Sequence, residues 1–342
     1  MKVVTAGDQD RERWNAFVAR HEAASFFHRF EWRGIITTVF GHPAHYLLVE
    51  DDDGGVRGVL PLIRVKSLLF GDTLSSTPFL AYGGPVADDE VIRRALEDAA
   101  VELAERLRVG SLELRNRVSN GRGWPSKDLY VTFEKAVSAD HEENMKAIPR
   151  KQRAMVRKAI KAGLEYRIDG DIDDFFSMYT HSLHALGTPA FPRRYFQVIM
   201  ETFPEEAEIL TVTHQGRPVS SVLSFYHRDA VLPYYGGGTR DARALKANDF
   251  MYWSLMCHAV ETRAVRVFDY GRSKVGTGSY HFKKNWGFEP TPLHYEYHLV
   301  RDRAVPEVNP ANPKYKLFID MWRRLPYRFT LALGPRLVKY LG

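Results

Sequence analysis

The chain runs through one order of secondary structure twice, and this repetition limits its fold more than any single motif does. Hydrophobic periodicity predicts a helix over residues 10–22, with Trp14, Phe17 and Val18 on one face, and a second over 31–39. Strand-like runs over 45–50 and 56–69, the latter interrupted by Pro61, flank a turn at 51–55 and form a hairpin. An extended segment over 76–84 ends in Tyr82-Gly83-Gly84. A long amphipathic helix over 89–108 and strands over 111–115 and 129–133 close the set. The second half follows the same course, with helices over 172–186 and 193–203 and a hairpin of 208–214 and 219–227. Tyr234-Tyr235-Gly236-Gly237 then answers Ala81-Tyr82-Gly83-Gly84, before a helix over 249–262 and a strand over 265–269. Two copies of one α/β unit account for the 342 residues, and 44% hydrophobic content is ample for two cores.

Between Val265 and Pro290 the sequence changes character three times. Val265, Val267 and Phe268 suit a buried strand, which Asp269 and Gly271 close. Arg272, Ser273, Lys274, Gly276, Thr277 and Gly278 follow as a loop whose glycines permit positive φ and whose cations and hydroxyls suit an anionic or oxyanionic ligand. A helix is expected from a Ser279 cap, with Phe282 and Trp286 on one face, Lys283 and Lys284 directly after Phe282, and Gly287 at its end. The plainer reading is an ordinary strand, loop and helix with solvated lysines.

Charge is unevenly placed. Residues 301–342 hold nine Lys or Arg against three Asp or Glu, so this stretch alone supplies the net charge of +6. A second block, from Lys146 to Lys161, contains no acid and sets Arg150, Arg153, Arg157 and Lys161 within reach of one helix face. The C-terminal stretch alternates apolar and basic residues. Its Phe318, Met321, Trp322 and Leu325 stripe suits either an anionic membrane surface or packing on the second unit. A single cysteine, Cys257, excludes an internal disulfide and reads as a buried, inert thiol. His181 and His184 sit three apart, a spacing that holds metals, but no cysteine or clustered acid completes a site, so no metal is expected. The N-terminal stretch lacks an apolar signal core and no run approaches the roughly 20 apolar residues of a spanning helix, so a cytoplasmic protein is expected.

The strand ending in D-x-G, followed by F-K-x-x-[FW]-G on a helix, resembles the FemAB-like acyltransferases, and reads here as Asp269, Gly271, Phe282, Lys283, Trp286 and Gly287. The repeated element order is similar to the GNAT acyltransferase fold, and FemAB-like enzymes resemble two such domains fused. The resemblance therefore implies an α/β (α+β) chain of two tandem GNAT-like acyltransferase domains with a basic C-terminal helical tail. Residues 1–138 would form the docking or acceptor side, 139–300 the catalytic domain and 301–342 the tail. It places Lys283 beside the acyl end of the donor. The K-x-R-x-x-x-R-K-A pattern on Lys151, Arg153 and Arg157 implies contact with phosphates of a nucleotide- or lipid-linked acceptor. More narrowly, GRSKVGTGSYHFKKNWGFEP and Leu186-Gly187-Thr188-Pro189 look like the subgroup associated with exosortase and PEP-CTERM export, in which the latter would shape the acceptor entrance. Two departures stand out. Trp32 is followed by Arg33, Gly34, Ile35 and Ile36, without the family's lysine. The [QR]-x-x-G-x-[GA] pyrophosphate turn of acetyl-CoA enzymes is replaced by Gly236-Gly237-Gly238-Thr239-Arg240.

The expected activity is transfer of an aminoacyl group from a tRNA ester to an amine on an anionic cell-envelope or exopolysaccharide-linked acceptor, which would be lipid-linked if the tail faces a membrane. Such aminolysis needs alignment, an oxyanion partner and an exit for the amine proton. The catalytic candidates are Lys283 as the cation, with Tyr280 and Asp269 as proton relays. The substrate-binding candidates are Lys151, Arg153, Arg157, Tyr235, Arg272, Ser273, Lys274, Gly276 and Phe282. No resident cofactor is implied, only the donor: aminoacyl-tRNA or, alternatively, acyl-CoA for N- or O-acylation of a polysaccharide. Stretch 307–342 would bring the enzyme into peripheral contact with the inner membrane, and a non-enzymatic, membrane-recruited scaffold is the third reading.

Overall fold

The computed structural model describes residues 1–67, 71–306 and 313–341, with backbone alone for 313–316. The chain divides into two units, Met1–Tyr130 with Pro292–Glu307 and Lys339–Gly342, and Val131–Thr291 with Val308–Val338. These divisions fall at other residues than the expected boundaries at 138 and 300. The strand Tyr130–Ala136, expected to close the first set, pairs antiparallel with Val267–Asp269 in the second unit's sheet. The first unit takes instead His294–Leu299, antiparallel to Ser111–Asn116. Strand partners are chosen by non-local pairing, which no local pattern encodes.

In the first unit one sheet runs Lys2–Thr5, Leu47–Glu50, Val56–Leu60, Val86–Ala87. The other runs Ile63–Ser67, Gly71–Ser75, Ser111–Asn116, His294–Leu299, Ser126–Lys127. Helix Glu90–Arg106, capped by Asp89 accepting from the Ile92 N–H, buries Ile92, Leu96, Ala100 and Leu103 against Leu47, Leu60 and Leu112. Segment 76–84 is not the extended run expected. It is a buried loop with Thr77 and Phe79 at φ 48° and 73°. The buried Arg115 guanidinium, paired with Glu113, donates to the carbonyls of Thr77 and Leu80, so the loop's backbone is satisfied by a side chain instead of a ladder. The two Tyr-Gly-Gly segments therefore differ in structure, because Tyr234–Gly237 lies within strand Ala230–Gly238.

The second unit's sheet runs Leu164–Ile168, Ala207–His214, Arg217–His227, Ala230–Gly238, Val267–Asp269, Tyr130–Ala136, Ser273–Lys274. Ala230–Gly238 and Val267–Asp269 are parallel and share only two residue pairs, Ala230 with Val267 and Val231 with Phe268. Beyond these, among the described residues, no strand pairs with 232–238 on that side, so the sheet splays open there. A bulge at Tyr234, where Leu223 faces Tyr235 and Ser224 faces Pro233, bends the strand at the opening. Helix Ile172–Leu186 crosses this strand so closely that a Cβ on Gly237 would lie 2.4 Å from the Met178 carbonyl oxygen. Helices Arg150–Lys161 and Ala247–Arg263 supply Val156, Ala159, Met251 and Leu255 to a core shared with Phe268 and Trp286.

The C-terminal helices Pro313–Arg324 and Tyr327–Val338 lie on helix Ile172–Leu186. His184 Nε2 donates to the Leu325 carbonyl at 3.0 Å, and His181 stacks on Tyr327 at 4.2 Å. The two histidines thus hold the tail. Gly187, at φ 76°, backs onto the Ile319 carbonyl, which an added Cβ would meet at 2.7 Å. The 186–189 segment therefore docks the tail, where an acceptor entrance was expected. The expected stripe is split, with Trp322 3% exposed and Met321 56% exposed. Trp322→Ala should lower unfolding stability by about 3 kcal/mol, and Met321→Ala by about 0.5 kcal/mol or less. Denaturant midpoints check this, and equal losses would contradict the inward placement of Trp322.

Candidate active site

Strand Val267–Asp269 delivers the chain to a tight turn in which the Asp269 carboxylate accepts the Gly271 N–H at 2.7 Å, with Gly271 at φ 65°. Ser273–Lys274 then adds to the sheet, Gly276 turns at φ 76°, and helix Gly278–Asn285 begins. Its cap is Thr277, whose hydroxyl accepts the Tyr280 N–H and donates to the Lys274 carbonyl. The expected Ser279 cap is displaced by two residues, because the turn at Gly276 brings the Thr277 hydroxyl to the first turn.

Lys283 points back under this loop. Its Nζ donates to the carbonyls of Gly271 at 2.9 Å and Arg272 at 3.1 Å, and lies 5.5 Å from the centre of the Phe133 ring. It is 8% exposed. Burial pulls its pKa down to about 7, opposed by the Asp269 charge and reinforced by Arg272. Lys274 is lowered to about 8 by burial and then by Arg272. An amine with two N–H groups committed to carbonyls has one tetrahedral position left: a third N–H when charged, a lone pair when neutral.

The Lys283 helix is tied to the basic helix by a buried carboxylate. Asp249 accepts from Trp286 Nε1 at 3.0 Å and from Gln152 Nε2, and burial raises its pKa against those hydrogen bonds. Gly287, at φ 80°, ends the motif helix against Pro149, the cap residue of Arg150–Lys161; an added Cβ would lie 3.1 Å from the Pro149 ring. With Gln152, Val156 and Ala159 inward, the basic helix presents Arg150, Arg153, Arg157, Lys158 and Lys161 around an open depression of about 750 Å³.

The structure thus gathers Asp269, Arg272, Ser273, Lys274, Gly276, Tyr280, Phe282 and Lys283 on one strand, loop and helix. The buried Ser273 hydroxyl has no partner among the described residues. Tyr280 packs edge-on against Phe133, and Phe282 against Tyr252 and Trp286. The other expected binding residues lie outside this strand, loop and helix. Tyr235 is a core residue: its hydroxyl is bonded to Tyr195 at 2.9 Å within a cluster that includes Phe191 and Phe196. Arg153 lines the depression but also donates to the carbonyls of Ile148 and Lys146, at the end of the preceding helix. Lys151 is not among the residues that line the basic depression. Asp249 stands in no motif and Gln152 fills a variable position of the basic pattern, so nothing local singles either out.

A family profile described as "Acetyltransferase (GNAT) domain" matches residues 150–284, from the basic helix through Lys283. The fold is similar to the crystal structure of FemX, at 16% identity and a TM-score of 0.66, covering 93% of this chain and 100% of that one. It is also similar to the C-terminal domain (DUF2156) of a putative lysylphosphatidylglycerol synthetase from Agrobacterium fabrum, at 13% identity and a TM-score of 0.54, covering 85% and 92%. A tandem GNAT protein from the clavulanic acid biosynthesis pathway gives 13% identity and a TM-score of 0.55, covering 86% and 97%. No curated protein matches by sequence. At these identities the likeness is one of fold: a mixed α/β chain of GNAT type, with the tandem arrangement of its structural neighbours.

Replacing the buried acceptor should separate its hydrogen-bonding from its charge. Asp249→Leu leaves the Gln152 and Trp286 donors unpaired and should cost about 2–4 kcal/mol. Asp249→Asn keeps an acceptor and should stay within about 1 kcal/mol of the parent. A carboxyl raised in the folded state binds its proton more readily there than in the unfolded chain, so the native protein loses stability as pH rises above the ordinary carboxylate range. Asp249→Asn should flatten that slope; denaturation across pH 4 to 7 reads it, and a slope identical to the parent's would contradict the placement.

Proposed function

We propose that the chain is an aminoacyltransferase that moves an aminoacyl group from a tRNA ester to an amine on an anionic cell-envelope or exopolysaccharide-linked precursor. The observation that carries this reading is Lys283, buried at the end of the splayed strand pair, with one tetrahedral position of Nζ not taken by a hydrogen bond among the described residues. The acceptor amine attacks the ester carbonyl, the carbon–oxygen bond to the tRNA ribose breaks, and the amine proton leaves to the ribose oxygen or solvent. Charged Lys283 offers its remaining N–H to the tetrahedral oxyanion. Tyr280 is the better relay, because the Asp269 carboxylate already serves the Gly271 turn. Arg272 and Lys274, with Ser273 and the open Gly276 backbone, take phosphate or donor ribose. Arg272 depresses both neighbouring lysines, so a bound anion would relieve mutual repulsion and favour their charged forms. Arg150, Arg157 and Lys161 are assigned to the acceptor's phosphates.

Support for a tRNA donor comes from the missing pyrophosphate turn at 236–240 and from the FemAB-like motif around Lys283. The motif stretch 271–290 further supports placing the acceptor in an exosortase and PEP-CTERM-associated system. An acyl-CoA donor is the second reading, favoured by the acetyltransferase profile over 150–284. Calorimetry separates the two: binding of charged tRNA without binding of acetyl-CoA is expected, and the reverse would overturn the donor assignment. Lys283→Met should lower transfer about 100- to 1,000-fold while the circular dichroism spectrum stays unchanged. Because the charged form is the active one, the parent's rate should fall as pH rises through the lysine's pKa. A rate that climbs across the same range would assign Lys283 as a base.

A further inference from the structure

Both C-terminal helices turn one face inward. Trp322, Thr330 and Gly334 are buried, Ile319 backs onto Gly187, and Gly334 lies against Ala190. Since both helices lie on the same helix, Ile172–Leu186, their opposite faces turn away from the same body. Those faces are apolar in a regular way. Leu317 and Met321, one turn apart, are 63% and 56% exposed, and Phe329 and Leu333, again one turn apart, are 61% and 37% exposed. The exposed Leu186 adds to them at the point where Arg323 donates to its carbonyl. Apart from Tyr166 and Ile168 on the edge strand Leu164–Ile168, exposed large apolar side chains elsewhere among the described residues are scattered singly, so this larger concentration marks a contact surface. Exposed Arg324, Arg328 and Arg336 lie among them, and residues 313–341 hold seven Lys or Arg against one acid, Asp320.

We infer that these two helices dock the protein on an anionic phospholipid bilayer, with Leu317, Met321, Phe329 and Leu333 in the headgroup and upper acyl region and the arginines on lipid phosphates. Charge selects this occupant. A second copy would bring an equal excess of cations to the same contact and repel, whereas an anionic surface neutralises it. Among the described residues no helix is long and apolar enough to cross a membrane, so the contact is peripheral. The inference is independent of which acyl donor is used.

The test is sedimentation of the full-length protein with vesicles of pure phosphatidylcholine and with vesicles containing about 30% phosphatidylglycerol, an anionic fraction chosen to give surface attraction. Capture by the anionic vesicles alone is expected, weakening as salt is raised. The double variants Met321→Glu with Phe329→Glu, and Arg324→Glu with Arg328→Glu, change exposed side chains and should each weaken capture about tenfold or more at an unchanged thermal midpoint. Failure of the parent protein to bind anionic vesicles would overturn the inference. So would capture unaffected by either variant, or a dimer of the parent that the Met321 and Phe329 variant converts to monomer.

Discussion

A lysine side chain buried to 8% exposure, with its nitrogen on two backbone carbonyls, sets the terms for the rest of the second unit. Burial disfavours the charged form, while the Gly271 and Arg272 carbonyls and the Asp269 carboxylate offset part of that cost. The result is an amine whose protonation lies near 7, where the unfolded chain would hold its proton to about pH 10. Because the unfolded chain binds that proton more readily between these limits, the group costs the fold progressively more as pH falls through the window. A structure that keeps such a residue must hold its loop by other means. It does so through the Asp269 turn, the Thr277 cap and the fully buried Trp286 one turn farther along the chain.

Trp286 carries that constraint outward. Its indole N–H shares Asp249 with Gln152, so the helix bearing Lys283 and the helix bearing the basic face are fastened to one buried carboxylate. Gly287 against Pro149 closes the same junction from the other side, where only a residue without a Cβ turns at positive φ so near the ring. The splay between Ala230–Gly238 and Val267–Asp269 then opens beside a loop whose position is fixed at both ends.

What was legible in the sequence follows from what is local. Helix Ile172–Leu186 has both its ends written in it, Asp171 accepting from the first-turn N–H groups and Gly187 turning left-handed, and its bounds were read correctly. The motif residues around Lys283 were likewise found together, since one strand, one turn and one helix position them all. Segment 76–84 was misread because its carbonyls are met by Arg115, more than thirty residues away. Tyr130–Ala136 was given to the wrong sheet for the same reason, as was the mixed inward and outward stripe around Trp322 to one face. The Asp249 junction joins residues 97 and 37 positions apart, and nothing in their spacing announces it.

The central claim is that Lys283 changes its charge near neutrality and becomes charged when an anionic donor arrives. It is tested most directly by following the lysine Nζ resonances in isotope-labelled protein, with Lys283→Met identifying the signal. The account predicts a midpoint of about 7 in the free protein, moving upward when charged tRNA is added. A midpoint at the ordinary lysine value, or one that the donor leaves unmoved, would contradict it.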